Sequence, residues 1–210
     1  IAGVLIAVGG PQVVYSFSLD TNPGWTTSGQ WAFGDPLGQG GNSGGSPDPQ
    51  NGFTGANVYG VNLAGNYSLS IGGPHTLTSG ALDLSSVSQA RLGFRRWLNT
   101  DFPPYVRSKV EASSDGDAWV TLWEHTGGAV ITDNTWQLVD LDLSAVDGAN
   151  AARVRWSYQI GGGAWSYSGW NIDDIAISGV VALTPTICAG DLSCDGVVDF
   201  FDIDLFVDAL

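Results

Sequence analysis

Carboxylates crowd the C-terminal segment at a spacing that suits a cation. Counting from Asp191, side-chain oxygens stand at positions 1, 3 and 5 (Asp191, Ser193, Asp195) and Gly196 takes position 6. The Val197 carbonyl follows at 7, Asp199 at 9 and Asp202 at 12. A hard cation such as calcium needs roughly six to eight oxygens from one short loop, and a glycine lets the chain fold back around it. Without a cation these clustered charges repel one another. Two cysteines flank the start of the loop, Cys188 and Cys194. Their spacing is not a zinc pattern, and they read as a disulfide outside the cell or as thiols inside it. Three rings, Trp165, Tyr167 and Trp170, follow the glycine run 161–163. Exposed, they can stack on a ligand such as a glycan; buried, they close the end of a sandwich.

Other spacings carry no catalysis. No H-E-x-x-H is present, which excludes a zincin site from this sequence. Gly41-Asn42-Ser43-Gly44-Gly45 fits G-x-S-x-G on paper but lies in a polar loop without the strand and helix that a nucleophile elbow needs. Glu111 falls beside Arg107 and Lys109 on the wet face of a strand, where a ladder of ion pairs suits it better than a glycosidase role with Glu124. The sequence reads as a non-enzyme.

The elements that hold these residues are strands. The 210 residues include 30 glycines, nine tryptophans and no methionine, and only 13% are charged. That composition is poor in helix formers. Val106, Ser108, Val110 and Ala112 alternate with Arg107, Lys109 and Glu111, and Val154, Trp156, Tyr158 and Ile160 alternate with Arg153, Arg155, Ser157 and Gln159. A period of two marks sheets with one wet face. Further strands are expected at 11–18, 53–60, 66–71, 90–98, 118–124 and 136–143, which together make an all-β sandwich over residues 11–179. Residues 35–52 form a long polar loop of the kind that binds something or moves. In Trp170–Ile177 the parity of Ile172 opposes that of Ile175 and Ile177, which places Asp173 and Asp174 at a bulge. Residues 180–187 read as a linker to the segment 188–210.

Charge bounds the partners. Twenty-one acidic against seven basic residues give a net −14, which excludes a phosphate-gripping nucleic-acid binder and argues against anionic lipid. The apolar start, Ile1 to Val8, is too short to span a bilayer. Ile1, Val4, Leu5, Ile6 and Val8, before the hinge Gly9-Gly10-Pro11, can instead add a strand to a neighbour's sheet or pair within their own.

Residues 190–202 resemble a type I dockerin repeat, an EF-hand-like loop followed by one helix, here with Phe201, Ile203, Leu205, Phe206 and Ala209 on the apolar side. The resemblance implies calcium. Dockerins carry two repeats to grip a cohesin, and one is visible here. Residues 12–179 resemble MAM-like and immune-inhibitor-A-like domains through Asn22-Pro23-Gly24-Trp25, Gly55–Tyr67, Glu111–Gly116 with Trp119, and Gly169–Ile175. This implies a jelly-roll accessory module of a secreted protein. It also implies a metal ion between Asp20 and Asp173 or Asp174, against which stands a bulge cap in which Asp174 accepts backbone N–H bonds. The expectation is a secreted, non-catalytic calcium-binding protein that scaffolds or adheres, joined to like subunits or another surface protein. The alternatives are a carbohydrate- or surface-binding module and an accessory domain of a larger secreted peptidase or glycosidase.

Overall fold

Residues 8–182 are described by a computed structural model. They form twelve strands: β1 (Val8–Phe17), β2 (Thr26–Thr27), β3 (Trp31–Gly34), β4 (Val58–Val61), β5 (Gly72–Thr78) and β6 (Val87–Thr100), then β7 (Val106–Ser113), β8 (Val120–Glu124), β9 (Ile131–Thr132), β10 (Gln137–Asp142), β11 (Arg153–Ile160) and β12 (Gly169–Ala182). A seven-stranded sheet runs β10-β6-β12-β4-β3, with β1 beside β12 and β9 beside β6. A five-stranded sheet runs β2-β5-β11-β7-β8. The fold is an all-β, jelly-roll-like sandwich, and the one helical turn among the described residues is a 3-10 turn, Ser144–Val146. Gly9–Val181 cluster as one compact unit.

Alternation produces the core. Val154, Trp156, Tyr158 and Ile160 on β11 and Val106, Val110 and Ala112 on β7 are buried. They face Leu92, Phe94 and Leu98 on β6 and Ile172, Ile175 and Ile177 on β12. Rings fill the space between the sheets. Trp25 stacks between Tyr59 and Trp156, with centroids 5.6 and 5.9 Å away, and Phe94 meets Trp156 edge-on. Trp170 packs between Trp31 and Trp123. On the outer face of the five-stranded sheet the ion pairs run across strands: Glu111 is buried and pairs with Arg155 at 2.8 Å rather than with Arg107 or Lys109 beside it, and Lys109 pairs with Glu124 at 3.3 Å.

Several expectations shift. β1 passes through Gly9-Gly10-Pro11 as extended strand, so no hinge interrupts it there. Residues 66–71 carry no strand; β5 begins at Gly72, because Leu69 and Ile71 point into solvent and cannot anchor one. Residues 53–57 belong to the loop before β4. β12 continues through residues 180–182, where the linker was placed. Ile1, Val4, Leu5 and Ile6 lie outside the described residues. So do Cys188, Cys194, Asp191, Ser193, Asp195, Val197, Asp199 and Asp202, and with them the EF-hand-like loop and helix.

Candidate functional site

The bulge in β12 is the device that positions the paired aspartates. Asp173 opposes Arg95 on β6 and Ala176 opposes Gly93, so β12 spends one residue more than β6 over this stretch. Asp174 takes the extra place at φ 45°, a left-handed conformation that Asp tolerates better than most side chains. Ile172 and Ile175 thereby reach the same core although three positions separate them.

Asp173 points away from the core but is fully buried by the loop 35–57. Its Oδ2 accepts the Phe53 and Thr54 N–H groups at 2.6 and 3.1 Å, and its Oδ1 accepts the Asp174 N–H at 2.8 Å. The N–H-accepting role left open for Asp174 thus falls to Asp173. Burial pushes its carboxyl up to about 6, opposed by those N–H donors. Asp174 accepts the Thr54 hydroxyl and Asp20 the Ser18 hydroxyl. Gly55 lies against the Asp20 carboxylate, where a Cβ would collide with Oδ1. Asp20 and Asp174 therefore flank Thr54-Gly55. Among the described residues, no group of three or more His, Cys, Asp or Glu is arranged to hold a metal ion.

The same loop is fastened at two further points. Asn99 on β6 accepts the Ser46 N–H at 2.8 Å, and Asn171 on β12 donates to Asp48 at 2.7 Å. Asp48 is only 2% exposed; the Ser168 hydroxyl stands near enough to oppose its desolvation but makes no full hydrogen bond to its second oxygen. Desolvation pushes its carboxyl up to about 7. The polar loop that the sequence left between binding and mobility is seated on the outer face of the seven-stranded sheet.

At one end of the sandwich the three rings part company. Tyr167 and Trp170 are buried, the closing role, whereas Trp165 is 58% exposed. Hydrogen bonds hold Trp165 on three sides: its backbone N–H donates to Asp101 at 2.8 Å, its Nε1–H to the Ser43 carbonyl at 2.7 Å, and its carbonyl accepts the Tyr67 hydroxyl at 2.6 Å. An indole fixed in place and more than half exposed needs little further ordering to stack against an apolar ring face. The rest of this rim includes Tyr105, Ile71 and Gly161–Gly163, and Gly162 and Gly163 approach Ile71 and Tyr105.

A second aromatic surface, half-buried but for Phe53, was not legible in the sequence. Phe53, Trp97 and Trp136 meet edge-to-face on the outside of the seven-stranded sheet, with Arg95 above the Phe53 ring. Arg95 and Trp97 share one parity on β6, and Trp136 directly precedes β10, so alternation could have put those three together. Phe53 comes from the loop, and nothing local announces it.

No family model matches the chain. It is 29% identical over 171 residues to Bacillopeptidase F of Bacillus subtilis (strain 168), an alignment covering 78% of this chain. The chain spans only 10% of that curated relative's length. Similar solved structures include the CBM22-1 xylan-binding domain of Paenibacillus barcinonensis Xyn10C, with TM-score 0.44 and 12% identity, covering 85% of this chain and 100% of that one. Another is the K3 cleaved adhesin domain of Lys-gingipain from Porphyromonas gingivalis w83, with TM-score 0.46 and 15% identity, covering 80% of this chain and 100% of that one.

Proposed function

We propose that the chain is a non-catalytic accessory domain of a larger secreted hydrolase, and that it holds a glycan at the Trp165 end of the sandwich. The clamped, solvent-facing Trp165 indole is the observation that carries this reading. Three hydrogen bonds already order this ring, so a sugar that stacks its apolar face on it would cost little in fixing the protein side. The match to one tenth of a protein named a peptidase supports an accessory place within a longer chain. Among the described residues no helix is long and apolar enough to cross a membrane. Calcium belongs, in this proposal, to the loop 191–202, and the resemblance to MAM-like domains and to a dockerin repeat stands with it. The readings that need Ile1–Ile6 as a donated strand, like subunits, or a cohesin partner rest on residues outside the described ones.

A glycan array probed with the full chain tests the reading. Wild type should bind a defined set of polysaccharides. Trp165→Ala should lower that affinity by about 2 kcal/mol, a factor of roughly 30, at unchanged melting temperature. Equal binding by the variant removes Trp165 from the site, and silence of wild type across the array removes glycan as the ligand.

A further inference from the structure

Cover is unequal across the outer face of the seven-stranded sheet. The loop 35–57 lies over the β12 side and buries Asn171 and Asp173 there. The β6–β10 side is open: Leu138 on β10 is 66% exposed and Phe53, at the loop's rim, 42%. Leu138 is the register partner of Arg95, and Trp136 and Trp97 stand one step along from that pair. The rings are held rather than loose. Trp97 Nε1–H donates to the Pro47 carbonyl at 3.0 Å, and the Phe53 N–H is tied to Asp173.

Arg95 is the exceptional member. Among the described residues Arg91, Arg96, Arg107, Lys109 and Arg155 each pair with a carboxylate. Arg153 reaches the Ser79 carbonyl. Arg95 has neither ion pair nor side-chain hydrogen bond there, in a chain with three times as many acids as bases. Its cross-strand neighbour Asp173 spends both oxygens on backbone N–H groups. The guanidinium lies 3.9 Å from the Phe53 ring centroid. Stacked in that way it is fixed in position and keeps its in-plane donors free, the geometry that takes a carboxylate through two parallel bonds.

We propose that this surface is a second binding site and that its ligand is an acidic polysaccharide built of uronate sugars. A uronate carries its carboxylate at the edge of a ring whose C–H face is apolar. Arg95, held on the Phe53 ring, receives the carboxylate, and Trp97, Trp136 and Leu138 receive the ring faces. An acidic peptide fits less well, because it brings its carboxylates on flexible stems without a rigid apolar face. The net charge of −14 repels a polyanion at long range. Salt at about 0.15 M screens that repulsion beyond roughly 8 Å and leaves the contact pair in force.

Affinity electrophoresis of the full chain at that ionic strength, through gels containing polygalacturonate, neutral galactan or poly-glutamate, decides the matter. Wild type should be retarded by polygalacturonate far more than by poly-glutamate. Arg95→Gln and Trp136→Ala should each weaken retardation at least tenfold with the melting temperature held, and Arg95→Lys should recover only part. Trp165→Ala should leave polygalacturonate binding intact, so this site and the Trp165 site can fail separately. The proposal is overturned by absence of retardation in wild type, by an Arg95→Gln variant that binds like wild type, or by equal retardation on poly-glutamate.

Discussion

At the scale of single residues, Asp48 concentrates the cost of seating a polar loop on a sheet. Its carboxyl is buried against Asn171 with one oxygen unpartnered, and an ionised carboxylate without a full set of donors is expensive there. The fold therefore favours the protonated form, up to about pH 7. The sign follows from linkage. A group whose folded value is raised contributes its full stability below the unfolded value of 3.8 and loses it as pH rises through 7. The loss is ~4 kcal/mol at most. Asp173, raised to about 6, acts in the same direction. Chemical denaturation of wild type should thus show stability falling between pH 4 and 7. Asp48→Asn, which keeps an acceptor for Asn171, should flatten that slope and be the more stable protein at pH 8. A slope unchanged by the substitution would place the titration elsewhere.

Among the elements, β12 shows how local pattern and tertiary fit combine. The parity break from Ile172 to Ile175 made the bulge legible, since no straight strand buries both. What holds the bulge was not legible, because Phe53 and Thr54 lie 120 and 119 residues from Asp173 in sequence. β7 and β11 could be read from alternation, whereas β5 could not. Gly72-Gly73-Pro74-His75 reads as turn composition, and only Leu77 in that strand is fully buried. Leu69 and Ile71 supplied a false strand signal nearby, since exposure is invisible in residue type. The Trp165 site was half legible: the sequence pointed to three rings, and packing sorted one outward. Asp173→Ala should leave the Phe53 and Thr54 N–H groups without their acceptor and loosen the loop 35–57. A cost of about 1–3 kcal/mol is expected, with faster amide exchange at 53–54 as its signature. Unchanged exchange there would mean that the loop is held without Asp173.

For the whole molecule, the question is where a metal could govern stability. Gly9–Val181 carry a core of their own, built from rings shared by both sheets, so the sandwich should melt in one transition. Of the two carboxylates buried under the loop, Asp173 is occupied by three backbone N–H donors, which leaves Oδ2 with little to offer a cation. The oxygen-rich spacing lies instead at 191–202, where the proposal places calcium because clustered aspartates repel one another without a cation. Calorimetry of the full chain with calcium and with chelator separates the two places. Chelation should remove a small, calcium-dependent component and leave the main transition within a degree or so, and Asp195→Ala should reproduce that loss without chelator. A main transition that drops on chelation in the Asp195→Ala protein would instead put a metal inside the sandwich. Asp20 and Asp174, facing one another across Thr54-Gly55, would then be its ligands.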